Sequence, residues 1–383
     1  MIKGPTLSVI VPTYNEREIV RQLVDRLCGA LRDVPFEILF VDDSCDGTDQ
    51  VIAELARKDP RIRLRHRPAR HGLATAVVEG ISLAQGEICC VLDADLQHPP
   101  ECLPLLLCAM NETDADVVVG SRYVAGGSYR TLTRGRRLAS WVATAVARLL
   151  LRRARLVADP MSGFFAFRRS VVQGVQLSPV GYKILLEILV RGKIRKVAEV
   201  PYTFNARAGG RSKLTWRQNW EYLVHVVRLL GVQPDDLRFL RFGSVGASGV
   251  MVNSGVLWAL VRAGLHYSHA GVAAIGVATT WNFCWNDLFT WRDRRSRSLA
   301  RFAERYVRYW AITGVGSAFH YVLLLGLTSL GVPYLVSNLV GIGAAALWNF
   351  HALGEWNWSP TEKGVMRVVW SKPIGSGSQA ARL

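Results

Sequence analysis

The sequence predicts two parts of different class: an α/β domain with a largely parallel, doubly wound sheet up to about residue 214, and an all-α transmembrane domain of two helical hairpins over 238–358. Three observations predict this. Short apolar runs rich in β-branched residues alternate with helical patterns up to about Val200, the pattern of strands joined by crossover helices. Beyond Arg238 the chain holds stretches without Asp, Glu, Lys or Arg that are long enough to span a bilayer. That second part also repeats itself at an offset of 67 residues.

In the first part, Ser8–Val11, Glu37–Val41, Ile62–Arg65, Ile88–Leu92 and Val117–Val119 read as strands, and Glu16–Leu31, Thr48–Arg57 and Leu73–Leu83 as the helices between them. Ligands of such sheets gather at the carboxyl ends of the strands. The residues there are Pro12-Thr13-Tyr14-Asn15-Glu16, Asp42-Asp43-Ser44, Asp93-Ala94-Asp95 and Gly120-Ser121-Arg122-Tyr123, which are polar where a connection need only be small. Two amphipathic segments follow. Arg134–Arg153 carries Leu138, Trp141, Val142, Ala145, Leu149 and Leu150 between arginines at both ends, and Trp216–Val232 repeats Trp216, Trp220, Leu223, Val227 and Leu230 at helical spacing. Both read as helices lying in the membrane interface rather than as ordinary surface helices.

In the second part, Phe242–Val261, Ala263–Asn286 and the 45 residues Trp310–Gly354 are uncharged. At 1.5 Å per residue a span needs roughly 20 residues, so the last stretch holds two spans turned near Gly331-Val332-Pro333. Four helices are expected, at about 242–262, 268–290, 309–330 and 333–354, followed by a tail over 359–383. The repeat supports the count: Trp281-Asn282-Phe283 recurs as Trp348-Asn349-Phe350, Arg241-Phe242 as Arg308-Tyr309, and Gly249 aligns with Gly316. The connector Arg292–Arg308 is strongly basic, which by the positive-inside rule places it, both termini and the α/β domain in the cytoplasm.

Composition agrees with this division. The 383 residues carry a formal charge of +17, which excludes a disordered acidic chain. From Arg238 onward there are 14 basic and five acidic residues, beside the most apolar segments, so the partner of the charge is expected to be a membrane and not nucleic acid. The seven cysteines include no CxxC pair and read as reduced core residues. Leu7–Val11 is too short for a signal peptide, and Gly375-Ser376-Gly377-Ser378 reads as a flexible stretch.

The chemistry-bearing motif is Asp93-Ala94-Asp95 with Gln97 and His98-Pro99-Pro100. Were the segment extended, residues two apart would face one way, and Asp93, Asp95 and Gln97 could offer oxygens to one hard cation. The competing reading is a pair of helix-capping or solvated aspartates. A strand end in a nucleotide-type sheet favours the metal.

Six blocks then occur in order: Val11-Pro12-Thr13-Tyr14-Asn15-Glu16, Val41-Asp42-Asp43-Ser44 with Asp46-Gly47-Thr48, Asp93 through Pro100, Gly120-Ser121-Arg122-Tyr123, Ser162-Gly163-Phe164-Phe165 and Gly210-Arg211-Ser212-Lys213-Leu214. Together they resemble the dolichol-phosphate mannose synthases of glycosyltransferase family 2, and the four-helix part resembles the GtrA-type membrane domain. The resemblance implies a GT-A (Rossmann-like) fold and a metal-dependent inverting hexosyltransferase. Its donor would be a nucleotide sugar, GDP-mannose by preference, and its acceptor a dolichyl or other polyprenyl phosphate in the bilayer. It implies that Pro12, Tyr14, Glu16, Val41, Asp43 and Arg70 hold the nucleotide, and that Asp93, Asp95 and Gln97 hold Mg2+ or Mn2+, with Asp95 and Arg122 as catalytic residues. Arg122, Arg136, Ser140, Glu187, Arg207, Arg211 and Lys213 would meet the lipid phosphate or the sugar, Glu187 lying in a Tyr-Lys-x-x-x-Glu segment. A helix cap competes as the role of Asp43; for Glu187, pairing with a basic residue of the pocket and a plain surface role compete with binding sugar hydroxyls.

Three alternatives are weighed. A UDP-glucose-dependent polyprenyl-phosphate glucosyltransferase shares most blocks. A processive synthase would carry Gln-x-x-Arg-Trp, which Trp216-Arg217-Gln218-Asn219-Trp220 does not match. The intact Asp93 and Asp95 argue against a lipid-linked sugar translocase, while a transport role added to catalysis in the GtrA-like part stays open.

Overall fold

The computed structural model describes residues 5–69, 71–128, 134–205, 216–233, 236–296, 298–358 and 365–370, with 134–139 and 216–217 as backbone only. The chain forms two compact units, Met1–Asp236 with Val365–Leu383, and Leu237–Gly364.

The first unit is built on one eight-stranded sheet in the order β3-β2-β1-β4-β6-β5-β7-β8. The helices α1 (Val20–Ala30), α2 (Thr48–Lys58), α3 (Leu73–Leu83) and α4 (Leu103–Thr113) connect β1 (Leu7–Thr13), β2 (Phe36–Asp42), β3 (Ile62–His66), β4 (Ile88–Val91) and β5 (Val117–Ser121) in turn. Strands β1 and β2 are buried along their whole length, which is why they read as continuous apolar runs and not as alternations. Helix α3 lies close on β1, and a Cβ at Gly80 would come within 2.5 Å of Ile10 Cγ2.

Three strands go beyond the sequence expectation. β6 (Phe165–Arg168) runs antiparallel between β4 and β5, and β7 (Lys196–Pro201) pairs with β5 in parallel. β8 (Met366–Val369) pairs with β7 in parallel, so the expected tail over 359–383 contains the edge strand of the sheet. Arg367 Nη2 reaches Glu199 Oε2 at 2.8 Å, and Trp370 Nε1 donates to Glu112 Oε2 at 2.9 Å, which fixes this strand in place. Residues 371–383, including the Gly-Ser stretch, lie outside the described residues. With β6 antiparallel on both sides, the carboxyl ends of β1, β2, β3, β4, β5 and β7 share one edge of the sheet.

Helices α5 (Arg134–Leu150), α6 (Ile184–Arg191) and α7 (Trp216–Leu229) form a side cluster. Ala147, Leu151, Met161, Leu186, Val190, Tyr222, Val226 and Leu229 make its core. On the outside, Trp141, Val142, Trp220, Leu223 and Val227 are exposed. Both amphipathic segments therefore have a second apolar face that is exposed among the described residues. All seven cysteines are free, but Cys45 is exposed, a departure from the core role expected of it.

The second unit repeats its hairpin. α8 (Arg238–Arg262) and α9 (Tyr267–Trp285) form one hairpin, continued by a π-helical turn at Asn286–Thr290. α10 (Leu299–Ser329), α11 (Tyr334–Ala352) and a π turn at Leu353–Asn357 form the second. Each hairpin turns at a left-handed glycine, Gly264 at φ +91° and Gly331 at φ +86°, a conformation costly for a residue with a Cβ. The recurring Asn of each Trp-Asn-Phe lies flat against the recurring Gly of its partner helix, where a Cβ at Gly249 or Gly316 would overlap the Asn282 or Asn349 amide. The equivalent Trp291 and Trp358 stack at 4.5 Å with planes 1° apart.

Arg238–Arg262, Leu299–Ser329 and Tyr334–Asn357 are long and apolar enough to cross a membrane. Helix α9 does not reach that apolarity: it opens on Tyr267, Ser268 and His269 and carries Thr279, Thr280 and Asn282. Large apolar side chains such as Met251 (76 % exposed) face outward along the unit, which hydrocarbon, not water, accommodates.

Candidate active site

At the ends of β1 and β2 two loops are laced together. Thr13 Oγ1 donates to Asp42 Oδ1 at 2.7 Å, Asn15 N to Ser44 Oγ at 2.7 Å and Glu16 N to Thr48 Oγ1 at 3.1 Å. Asn15 takes a left-handed φ of +56° to make this turn. Pro12 and Val41 are buried within their strands, so only their backbone groups can face a ligand, while Tyr14 and Glu16 are half-buried beside them. Asp43 is buried and already holds a loop. Arg67 forks onto its two oxygens at 2.5 and 2.7 Å, and the His71 and Gly72 amides donate to Oδ2 at 3.0 Å each. One further donor can still reach Oδ1. Arg70 lies outside the described residues.

At the end of β4 the chain does not continue extended. It turns, with Leu96 at φ +58°, and Gln97 N donates to Asp95 Oδ1 at 3.1 Å. The alternation that would have aligned Gln97 with the aspartates is therefore broken. Gln97 Nε2 instead donates to Asn205 O at 3.4 Å, and Asn205 N to Gln97 O at 3.0 Å. Asp93 is about a third exposed, with His98 Nε2 at 3.4 Å from Oδ2. Opposite it stands Gly163, where a Cβ would sit 2.9 Å from Asp93 Oδ2; the missing side chain leaves that oxygen accessible. Among the described residues no group of three His, Cys, Asp or Glu is placed to hold a metal. A carboxylate beside such a gap, with a second two residues on, suits a hard cation whose remaining ligands come from a substrate's phosphates.

At the end of β5, Arg122 grips Asp159 with Nε at 2.7 Å and Nη2 at 2.9 Å. Asp159 is fully buried. Burial works against the charge on Arg122, but Asp159 outweighs it and holds the guanidinium above its ordinary pKa. Phe204 and Tyr123 flank it at 5.4 and 5.7 Å, and Tyr123 OH meets Ser140 Oγ at 3.0 Å. Asp159 is itself set by Glu199 of β7, which accepts from the Ala158 and Asp159 amides and pairs with Arg367 of β8.

Lys183 completes this corner. Its Nζ is drawn inward and donates to Met161 O at 2.8 Å. Burial, then the neighbouring charge of Arg122, brings its pKa down to about 8, with Asp159 and Asp93 pulling the other way. Lys183 is thus within electrostatic reach of both the β4 and the β5 corners.

Glu187, one turn further on in α6, is paired with a basic residue and does not take the surface role. It is 1 % exposed, accepts from Ser178 N at 2.8 Å and pairs with Arg191 at 2.7 Å. Burial pulls nearby His225 down to about 4, so it is neutral beside Glu187 at pH 7. Glu187 braces α6 and faces neither a sugar nor solvent. Arg207, Arg211 and Lys213 lie outside the described residues, and Arg136 is described in backbone only, as part of α5.

Sequence reasoning missed Arg67, Asp159 and Lys183. Arg67 follows strand β3 and could have been found by the strand-end rule that found Asp43. Asp159 is a lone acid just before the Ser162-Gly163 block, and Lys183 lies in the segment that drew attention to Glu187.

Residues 8–175 match the family Glycosyl transferase family 2, and residues 241–358 match the GtrA/DPMS transmembrane domain. A dolichol-phosphate mannosyltransferase of Pyrococcus furiosus is 42% identical over 337 residues, 88% of this chain and 94% of that protein. The dolichol-phosphate mannosyltransferase of Saccharomyces cerevisiae is 33% identical over 58% of this chain and 86% of its own. A polyprenol monophosphomannose synthase of Mycolicibacterium smegmatis is 39% identical over 54% of this chain and 80% of its own. Among solved structures, glucosyl-3-phosphoglycerate synthase from Mycobacterium tuberculosis aligns with a TM-score of 0.48 at 20% identity, over 60% of this chain and 81% of that one.

Proposed function

We propose, since the chain belongs to the dolichol-phosphate mannosyltransferases of glycosyl transferase family 2, that it transfers mannose from GDP-mannose to a polyprenyl phosphate in the membrane and inverts the anomeric centre. The observation that carries this reading is the meeting of two opposed chemistries at one sheet edge. Asp93 and Asp95 follow β4, and the cation Lys183 stands within electrostatic reach of both Asp93 and Arg122. One corner suits a metal-bound diphosphate, the other a phosphate monoester.

The laced β1 and β2 loops hold the nucleoside, with Tyr14, Glu16 and the remaining lone pair of Asp43 Oδ1 as its contacts, and the backbone of Pro12 and Val41 beside them. Asp93 and Asp95 hold Mg2+ or Mn2+ together with the diphosphate; Gln97, turned toward Asn205, supports the loop. When bound, the metal neutralises charge developing on the departing nucleotide.

The acceptor needs no general base. The second pKa of a phosphate monoester is about 6, so at pH 7 the lipid phosphate is largely a dianion and can attack the anomeric carbon directly. The oxygen–carbon bond forms as the bond to the GDP oxygen breaks, with no proton transferred. What the protein must supply is proximity between two anions. Asp159 takes one edge of the Arg122 guanidinium and leaves the other for phosphate, while Lys183 brings the uncompensated positive charge. Ser140, Arg136, Arg207, Arg211 and Lys213 remain the further candidates for contact with the lipid phosphate or the sugar.

A polyprenyl tail stays in the bilayer at about 0.8 kcal/mol per methylene, so chemistry happens at the headgroup plane. The exposed apolar faces of α5 and α7 suit that plane. The chain leaves the sheet after β7 and rejoins it at β8, so both ends of the membrane unit lie on one side and the number of crossings is even. Three crossings would strand β8 across the bilayer. Helix α9 therefore crosses as well, and the arginine-rich connector lies on the same side as the catalytic unit, the cytoplasmic side.

The test is transfer from labelled GDP-mannose or UDP-glucose to a short polyprenyl phosphate by the purified full chain. Mannose transfer is expected, with Asp95→Asn lowering it on the order of 10³-fold, several kcal/mol of transition-state stabilisation. Transfer unaffected by Asp95→Asn, or seen only with UDP-glucose, would overturn the reading.

A further inference from the structure

The last strand of the sheet comes after the whole membrane unit in the chain, and it brings a charge to the catalytic edge. β8 pairs with β7 through Val197↔Arg367 and Glu199↔Val369. Residues two apart on a strand share a face, so Arg367 and Glu199 stand on the same side of the sheet, one step apart. Arg367 donates to Glu199 Oε2 from Nη2 at 2.8 Å and from Nε at 3.0 Å. Met366, Arg367 and Val369 are exposed, and of this strand Val368 packs against the core. What Arg367 adds is therefore charge and not packing.

Glu199 has no exposed surface, and among the described residues Arg367 is the one cation paired with it. Its other partners are amides. Ala158 N donates to both of its oxygens at 2.9 Å, and Asp159 N donates to Oε1 at 3.3 Å. The Asp159 carboxylate in turn accepts from the backbone N, Nε and Nη2 of Arg122. Two buried carboxylates thus stand in series, each neutralised by its own arginine. Without Arg367, Glu199 would be a buried charge with no counter-charge, which draws in a proton or water. Either change weakens its hold on the two amides, because a charged acceptor makes the stronger bond. Asp159 then loses the anchor of its backbone, and Arg122 the partner that fixes which edge it turns outward.

We infer that Arg367 is a positioning residue for the acceptor, a role that rests on Arg122 being a contact of the lipid phosphate. Arg367 keeps Glu199 charged, Glu199 holds the backbone of 158–159, and Asp159 presents Arg122. The acceptor side of the catalytic centre is complete only in a chain whose C-terminal strand has returned to the sheet.

The experiment uses the full chain in lipid nanodiscs, with KM measured for a short polyprenyl phosphate and for GDP-mannose, and amide hydrogen exchange followed over residues 156–163. Arg367→Met should raise the acceptor KM about tenfold, change the donor KM by less than about twofold, and speed exchange at 158–159. Arg367→Lys, which returns the charge, should recover most of the acceptor affinity. Trp370→Phe removes a different anchor of the C-terminal strand, the bond to Glu112 Oε2 at 2.9 Å, which leads to α4 and not to Asp159. It should leave both KM values and the 158–159 amides as they are. Should Arg367→Met not fold, Arg367→Gln, which keeps a donor without the charge, is held to the same outcomes. An acceptor KM unchanged in the folded variant, or raised equally by Trp370→Phe, would reduce Arg367 to an edge-strand contact and overturn the proposal. Absence of mannose transfer by the unaltered chain would sink the mannosyltransferase reading instead. In that case faster exchange at 158–159 in Arg367→Met, and not in Trp370→Phe, would still uphold the link from Arg367 to Asp159, and equal exchange would end it.

Discussion

The two units bury polar groups in opposite ways. At the sheet edge of the first unit the buried groups are charged and paired: Arg67 with Asp43 and Arg122 with Asp159. Around a cavity of about 350 Å³ among the helices of the second unit they are all neutral. The charges of the second unit gather near the connector, where Asp287 meets Arg305 and Arg295, and Arg238 meets Asp293. Desolvating an ion pair is tolerable where water and a phosphate ligand can approach, and prohibitive in mid-bilayer. The difference teaches where each unit can keep charge: at the sheet edge of the first, and near the connector but not around the cavity of the second.

The comparison breaks most readily at Asp159. Asp159→Ala leaves Arg122 buried without its partner, and should cost about 3–5 kcal/mol of stability in the catalytic unit, read from denaturant unfolding of the purified protein. A loss below about 1 kcal/mol would mean that the pair is not the buried support described.

The membrane unit should fail through shape before it fails through charge. Gly316→Ala pushes a methyl into the Asn349 amide and should destabilise by about 1–3 kcal/mol, whereas Gly343→Ala, with nothing within 4 Å of its Cβ, should be near neutral. Equal thermal shifts for the two variants would refute the Gly–Asn contact as the reason for the repeat.

Lys183 sharpens the electrostatic side. If its charge helps hold the acceptor phosphate, kcat/KM for the polyprenyl phosphate should fall toward tenfold per pH unit above about 8, and Lys183→Arg should move that limb to higher pH. Its stability effect has the opposite sign. The folded pKa lies below the ordinary 10.5, so between about 8 and 10.5 the unfolded chain holds the extra proton and stability rises with pH. Lys183→Met should abolish both trends; an acceptor profile unchanged in that variant would remove Lys183 from the site.

The smallest effect is expected at the cavity wall. Thr313 Oγ1 donates to Tyr309 O at 2.8 Å within its own helix, so Thr313→Val should cost only about 0.6 kcal/mol, the usual worth of a polar contact among membrane helices. A loss as large as that of Asp159→Ala would erase the contrast between the units.

Much of this arrangement was legible in the chain. The five early strands announced themselves because buried parallel strands are unbroken apolar runs, and Asp43, Asp93, Asp95 and Arg122 because they follow such runs directly. The hairpins were legible to within a few residues at most ends, since span length and a 67-residue repeat are both properties of sequence. Helix α10 was the exception; it begins ten residues early, at Leu299, because its first turns are amphipathic rather than apolar. Strands β6 and β8 escaped notice because four residues carry too little periodicity to separate a strand from a loop.

The partners were not legible. Arg67 finds Asp43 across 24 residues and Arg122 finds Asp159 across 37, and nothing in local pattern specifies such pairings. Gln97 turns toward Asn205 because a left-handed Leu96 overrides the alternation, and the ion pair of Glu187 was not legible because a lone acid in a helix looks the same whether it faces solvent or a half-buried arginine. By itself the sequence determined which segments must be hidden from water and which strand ends carry charge, because hydrophobic periodicity and composition are local and additive. Which charges neutralise each other, which cation keeps its charge beside Asp93, and how a C-terminal strand returns to complete the sheet were decided only by the tertiary fold, because electrostatics and packing depend on distances that no spacing along the chain encodes.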